Sequence, residues 1–327
     1  MANEFPWMIK RKVLVKKESG TNPEFGCRPE ERSTEALLDF GIVNIDKPSG
    51  PSSHQVSAYV KNILHVNKAG HSGTLDPKVT GSLPVAIGKG TRIVQSLLTA
   101  GKEYVCLMQI HADVDEEKLK KTIKKYIGVI DQLPPVRSAV KRQQRKRTIY
   151  YIEIIEIKAR EVLFRVGCQA GTYIRKICSD IGNDLGTGAH MAELRRTMAG
   201  PFDESTLCTL QDLTDAYHYY KEKKDDSMLR KLVQPFESGA MHLAKVWVVD
   251  GTVHTLCHGA YLNVPGIAKI ESGILEGDRV AVMTLKDELV SVGKAMMSSE
   301  QVIKKNKGLF LKPDQVFMDS GVYKSIK

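Results

Sequence analysis

The sequence predicts an α+β fold, a mixed sheet with helices packed on it, joined to a small β-barrel-like domain. Three observations lead there. Between Phe40 and Gln234, strand-like and helix-like segments follow one another without the strand–helix–strand regularity of a parallel doubly wound sheet. From Lys245 onward the chain becomes short apolar runs cut by glycine turns, the pattern of a small barrel. And 327 residues, 42% of them hydrophobic and 26% charged, can bury more than one core in water. The boundaries fall at 1–36 for an N-terminal arm, 37–240 for the sheet domain and 241–320 for the barrel-like domain.

Taken in order, the arm is polar and basic, broken by Gly20, Pro23, Gly26 and Pro29, and must dock on something or stay loose. Phe40 to Ile45 is an apolar strand running into the turn Asp46-Lys47-Pro48-Ser49-Gly50-Pro51. Ser52 or Ser53 can cap a helix whose Val56, Val60, Ile63 and Leu64 share one face. Leu83 to Ile87 reads as a strand and Thr91 to Leu98 as a helix. Tyr104, Cys106, Met108 and Ile110 alternate with Val105, Leu107 and Gln109 as a half-buried strand. Asp115 to Tyr126 opens with acids and closes with lysines, which suits a helix dipole. Thr148 to Ile157 and Glu161 to Gln169 read as strands, and Tyr173, Ile174, Ile177 and Ile181 as a helix opening at Gly171-Thr172. Thr206 to Tyr220 reads as a helix with Leu207, Leu210 and Leu213 inward. The last domain offers Val246 to Val249, His258-Gly259-Ala260, Val264 to Ile267, Gly277 to Met283 and Leu289 to Gly293 as short strands.

The 48 Lys and Arg against 38 Asp and Glu leave a net charge of +10, which favours a polyanionic partner without separating RNA from DNA or an acidic membrane. Cys27, Cys106, Cys168, Cys178, Cys208 and Cys257 lie far apart with no Cys-x-x-Cys pair, the usage of reduced core thiols in a cytoplasmic protein. No metal or cofactor is implied, and neither nucleotide-cradling glycine motif occurs. The basic first 20 residues lack the apolar segment of a signal peptide, and no run of about 18 apolar residues could span a membrane.

The densest run of turn formers is Gly70-His71-Ser72-Gly73-Thr74-Leu75-Asp76-Pro77-Lys78-Val79-Thr80-Gly81, with one carboxylate in its middle. Pro77 holds Asp76 out of helical geometry, so the acid is presented from an extended loop. Alone, an Asp-Pro is loop punctuation. Here it stands in series with Asn44 to Gly50 and Ser52-Ser53 before it, and with Lys102-Glu103-Tyr104, Gly171-Thr172-Tyr173-Ile174-Arg175 and Leu194-Arg195-Arg196-Thr197 after it. That order resembles the TruB family of RNA pseudouridine synthases, and within it the guide-RNA-dependent branch, the archaeal relatives of dyskerin. The terminal strands, with Gly277-Asp278-Arg279-Val280 and Val292-Gly293-Lys294-Ala295, resemble a PUA domain.

The resemblance implies an isomerisation of uridine in RNA that needs no ATP, metal or redox cofactor. Asp76 matches the catalytic aspartate and Arg175 the arginine beside it. A carboxylate working as a nucleophile has to be ionised despite burial, and an arginine about 4–6 Å away favours the charged form. Tyr104 matches the aromatic on which a flipped base can stack, Tyr173 a position packed against the catalytic pair, and Leu194 an apolar wall. His71 and Lys47 match positions near the RNA. The basic run Lys141, Arg142, Arg145, Lys146 and Arg147 matches a mobile thumb loop that clasps RNA and touches a protein partner, although a charge run alone is as often a solvated face. RNA contacts of the PUA-like domain are assigned to His258, Gly259, Ala260 and Gly266. In that branch the arm packs beside the C-terminal domain.

Further implied are an H/ACA guide RNA, a ribosomal RNA substrate with the tRNA T loop as the alternative, a small Nop-class protein, a Gar-class protein and, through the RNA, a kink-turn-binding ribosomal-type protein. A non-catalytic RNA scaffold is the competing reading. Basic charge and a PUA-like domain would suffice for it, but it has no need of the Asp76, Tyr104, Tyr173 and Arg175 set.

Overall fold

A computed structural model describes residues 5–134 and 143–325. Chain contacts gather residues up to Pro6 with Leu38–Gln234 into one unit, and Trp7–Leu37 with the stretch from Pro235 into another. Strand β1 (Val13–Val15) lies in the second unit, and the short helix α1 (Thr34–Asp39) precedes the first sheet.

The first unit is a mixed sheet. Its strands among the described residues are β2 (Phe40–Lys47), β3 (Ala69–His71), β4 (Thr80–Gly88), β5 (Lys102–Ile110), β6 (Gly128–Gln132), β7 (Arg145–Lys158), β8 (Glu161–Cys168), β9 (Ala189–Ala199) and β10 (Val233–Pro235), in the order β10-β2-β4-β9-β5-β8-β7-β6, with β3 alongside β4. The pairs β2–β4, β5–β9, β5–β8, β7–β8 and β6–β7 are antiparallel, whereas β4 meets β9 in parallel over Thr80↔Arg195 and Gly81↔Arg196.

Helix α2 (Ser53–Ile63) begins where Ser52 and Gln55 close a capping box, and it buries Val56 and Val60. The stretch from Thr91, expected as one helix, divides into a 3₁₀ turn at Lys89–Ile93 and α3 (Val94–Thr99). Helices α4 (Glu116–Lys124) and α5 (Ile174–Leu185) cover one face of the sheet. There the predicted alternation delivers Cys106, Met108 and Ile110 to a core shared with Leu119, Ile123, Phe164, Ile177 and Ile181. The helix expected from Thr206 starts later, as α6 (Leu210–Lys223), because Thr209 and Asp212 form its capping box; Leu207 lies outside it and Leu213 points inward. Helix α7 (Ser227–Leu232) follows.

The second unit, besides β1, holds β11 (Ala244–Val248), β12 (Leu262–Asn263), β13 (Ile267–Glu271), β14 (Arg279–Met283), β15 (Leu289–Ala295) and β16 (Leu309–Val316), in the order β1-β13-β11-β14-β15-β16-β12. The sheet curls into half a barrel around Val246, Val248, Ile270, Val280, Val282, Val290 and Phe310. Helices α8 (Asp250–Cys257) and α9 (Ser299–Lys304) contribute Val253, Leu256 and Val302 to that core. Two expected strands are not strands. His258, Gly259 and Ala260 form the exposed exit of α8, whose Val253 and Leu256 bury one helical face, and Val264–Gly266 is a 3₁₀ turn leading into β13. The arm strand β1 pairs antiparallel with β13, Leu14 opposite Ile270.

Gly81 is the residue on which the parallel pairing rests. Its φ is +100°, and a Cβ there would stand 2.2 Å from the carbonyl oxygen of Arg196. The backbones of β4 and β9 can approach as they do only without a side chain. Gly81→Ala is therefore expected to cost about 2 kcal/mol or more, read as a lowered urea midpoint with an unchanged m-value.

Candidate active site

The site is built on one transverse row of the sheet. The registers place Lys47 opposite Gly81, Gly81 opposite Arg196, Arg196 opposite Tyr104, and Tyr104 opposite Val166. The first three contacts bring β2, β4, β9 and β5 together just where the chain leaves β3 and enters the loop carrying Asp76. Leu194 stands beside this row, opposite Cys106.

Two buried cations and one serine hold that loop, and a third buried cation ties the end of the neighbouring helix α3. Lys47 is fully buried, and its Nζ donates to the carbonyls of Pro48 (2.8 Å), Pro77 (2.9 Å) and Val79 (2.8 Å). Arg196, also buried, donates from Nη2 to the Gly73 carbonyl at 3.3 Å and from Nε to that of Ser82 at 2.7 Å. Lys102 donates to the carbonyls of Leu97 (2.8 Å), Leu98 (3.1 Å) and Ala100 (2.5 Å), closing the end of α3 beneath the site. Ser53, the first residue of α2, accepts from the Leu75 N–H at 2.8 Å and donates to its carbonyl at 3.2 Å. With Leu75 and Val79 buried on either side, Asp76 is thrust outward from a fixed backbone.

Asp76 meets Arg175 directly in an ion pair. Both side chains are about half exposed, 52% and 45%, which corrects the expectation of a buried carboxylate. Arg175 accordingly orients the acid. Tyr104 is half-buried by its strand neighbours. Its phenol is pushed above its usual range by burial, against the pull of the Arg196 guanidinium, so it stays protonated and able to donate. His71 is driven down to about 4, first by burial, then by His54 and Arg196. Its Nδ1 accepts from the Gly73 N–H at 3.3 Å, which leaves the ring proton on Nε2 as a donor. Burial, reinforced by Arg196, lowers the Lys102 amine to about 7.

Other expected residues are placed differently. Lys47, read as an RNA neighbour, spends its amine inside the loop and is a structural tie. Tyr173 is the N-cap of α5; its backbone N–H donates to Gln132 Oε1 at 3.0 Å, and its carbonyl accepts from Gln132 Nε2 at 3.2 Å. Lys141 and Arg142 lie outside the described residues. Arg145, Lys146 and Arg147 belong to β7 and not to a loop, paired with Gln132, Asp131 and Ile130 of β6. Arg147 turns back, donating from Nε to the Gly171 carbonyl at 3.2 Å. His258, Gly259 and Ala260 are exposed in the second unit, while Gly266 is tucked against Thr252, whose Oγ1 would stand 2.7 Å from a Cβ at that position.

No role was legible in the sequence for Arg196, Lys102 or Gln132, and Ser53 was expected only as a possible helix cap. The first two sit in blocks quoted above, Leu194 to Thr197 and Lys102 to Tyr104, and a charged residue at an inward position of an alternating strand was the available signal. Among the described residues no group of three or more His, Cys, Asp or Glu is arranged to hold a metal, and no helix is long and apolar enough to cross a membrane.

Comparison with known proteins decides the family. The model for the N-terminal domain of TruB family pseudouridylate synthases matches residues 61–174, and that for the C-terminal domain of tRNA pseudouridylate synthase B matches 175–240. A DKCLD domain model matches 2–57 and a PUA domain model 244–317. The chain is 55% identical to the probable tRNA pseudouridine synthase B of Pyrococcus furiosus, over 97% of this chain and 94% of that one. The chain belongs to the TruB family of pseudouridine synthases. It is thus an isomerase acting on uridine in RNA, with a PUA domain at its C-terminal side. The probable tRNA pseudouridine synthase B of Methanopyrus kandleri is 51% identical over 97% of this chain and 94% of that one. Among solved structures, a chain from a Cbf5–Nop10–Gar1 complex superposes with a TM-score of 0.94 at 54% identity, covering 99% of both chains. One from an H/ACA ribonucleoprotein bound to a substrate RNA containing 2′-deoxyuridine superposes at 0.91 and 52%, covering 98% of this chain and 99% of that one.

Two outcomes test the site's physics. Lys47→Met leaves loop carbonyls buried without their donor and should cost at least about 2 kcal/mol, with faster amide exchange confined at first to residues 73–79. The His71 ring should stay neutral at pH 5.5 by NMR titration. Since the unfolded chain takes up that proton below its ordinary value of 6.5 and the native ring only near 4, His71 withdraws stability as pH falls between those values. His71→Asn should flatten this part of the pH–stability curve.

Proposed function

We propose that this synthase is the catalytic subunit of a guide-RNA-dependent H/ACA particle that isomerises uridines in ribosomal RNA. The observation that carries the reading is the anchored loop presenting Asp76 to Arg175, on a chain that matches over nearly its whole length a Cbf5 bound to Nop10 and Gar1 and an H/ACA particle bound to RNA. The same likeness supports a small Nop-class protein, a Gar-class protein and RNA as partners, and to these the proposal adds a kink-turn-binding protein reaching the assembly through the guide RNA.

In the proposed reaction the Asp76 carboxylate engages the target uridine after the base is flipped out of its stack. The bond from C1′ to N1 breaks, the base turns, and C5 bonds to C1′. The C5 proton leaves and N1 takes one up, so the product is an isomer. Arg175 fixes the carboxylate's direction, Tyr104 offers a ring for stacking and a protonated hydroxyl, and His71 presents its Nε2 proton at the rim. Leu194 and Tyr173 complete the walls. Arg145 and Lys146 on the β6–β7 ribbon, and the exposed His258-Gly259-Ala260 exit of α8, supply contacts to RNA.

The relatives' names favour a second substrate, tRNA, of which the T loop is the alternative expected above. Tritium release from C5-labelled uridine separates the two. With guide RNA and partner proteins present, release is expected from a guide-complementary ribosomal fragment, and Asp76→Asn should abolish it while guide-RNA affinity stays within twofold. Release from a T-loop transcript by the chain alone would favour the tRNA reading. Activity surviving in Asp76→Asn would remove Asp76 from the mechanism.

A further inference from the structure

The end of α5 that carries Arg175 is poorly determined by its own sequence. Tyr173 caps it without a side-chain hydrogen bond, the first turn holds no acidic residue, and Arg175 puts a positive charge where the helix dipole disfavours one. Something outside the helix has to fix it. Gln132, at the end of β6 and only 2% exposed, does so by gripping the Tyr173 peptide from both sides, accepting from its N–H and donating to its carbonyl. The same carbonyl receives the first helical bonds, from Lys176 and Ile177, so the grip sets the direction in which α5 starts. Gln132 pairs in register with Arg145, and two residues along β7 Arg147 holds the Gly171 carbonyl. The base of the β6–β7 ribbon is therefore tied twice to the segment that aims Arg175.

We propose that Gln132 is a positioning residue for catalysis, coupling the basic β6–β7 ribbon to the Arg175–Asp76 pair, so that RNA seated on the ribbon sets the arginine. The coupling rests on the function proposed above for the same site. A displacement of β6 moves Gln132, and Gln132 cannot move without turning the Tyr173 peptide and the first turn of α5 with it. Truncating the amide leaves the Tyr173 N–H without its partner while altering a side chain that is almost wholly buried.

The test compares Gln132→Met and Gln132→Leu, both near in volume, in the wild-type and Arg175→Ala backgrounds of the assembled chain, using single-turnover tritium release and RNA affinity. The expected result is a rate lowered at least about tenfold, RNA affinity within twofold, and no further loss when the substitution is added to Arg175→Ala. An equal-fold loss in both backgrounds would make Gln132 merely structural and overturn the proposal, as would a full rate in both Gln132 variants. Hydrogen exchange supplies a readout independent of activity. Gln132→Met should speed exchange at Tyr173 to Ile177 by about tenfold or more with little change in α4; unchanged exchange there overturns the coupling. A silent wild-type enzyme would count against the proposed function alone, and exchange would then decide the role of Gln132.

Discussion

The structure depends on cations buried against carbonyl oxygens. Lys47, Lys102 and Arg196 are each at most 5% exposed, and the hydrogen bonds of both lysines run to backbone carbonyls, with no carboxylate as partner. Burying an unpaired charge is expensive, and it is tolerable only where every donor is matched. Here the cost is met by loop and helix-end carbonyls, of which Leu97 and Pro77 also accept a backbone N–H. The arrangement converts a glycine-rich loop, whose residues resist any single conformation, into a rigid mount. It also leaves a positive field beneath the one carboxylate that the mount exposes, the setting in which an anionic side chain and an anionic RNA can be held together.

That mount explains why Asp76 can be exposed and still be defined in position. An exposed ion pair contributes little to stability, so the Arg175 contact cannot be what shapes the loop. The shaping is done from behind, at Leu75, Pro77 and Val79, by Ser53 and Lys47. The loop therefore does not depend on the pair in front, which in the proposed reaction can be broken and remade as the uridine is engaged. Rigidity and reactivity reside on opposite sides of the same loop.

Much of this was legible in residue order. The alternation from Tyr104 to Ile110 foretold which faces of β5 are buried, the pair Ser52-Ser53 foretold the start of α2 without deciding which of them caps it, and the glycine–proline density around Asp76 foretold an extended loop. What was not legible has a common cause. The row Lys47–Gly81–Arg196–Tyr104 joins residues from four strands that are distant in the chain, and only the register creates it. A lysine before a proline reads as solvent-facing because local pattern cannot show that two carbonyls from the Asp76 loop will join that of Pro48 around its amine. His258 to Ala260 failed as a strand because a helix of only eight residues, Asp250–Cys257, carries too few turns to display a period.

Placing Arg175 at the start of a helix rather than within it has a consequence for control. A residue deep inside α5 would inherit its position from the core around Ile177 and Ile181, and nothing at the surface could redirect it. At the second helical position it inherits its position from whatever holds the entry, and the entry is held by Gln132 and Arg147 on the ribbon. Asp76 is thus anchored by the sheet, whereas its arginine is anchored by an edge ribbon bearing basic residues. The two halves of the pair answer to different parts of the fold, which is the arrangement that the proposed coupling through Gln132 requires.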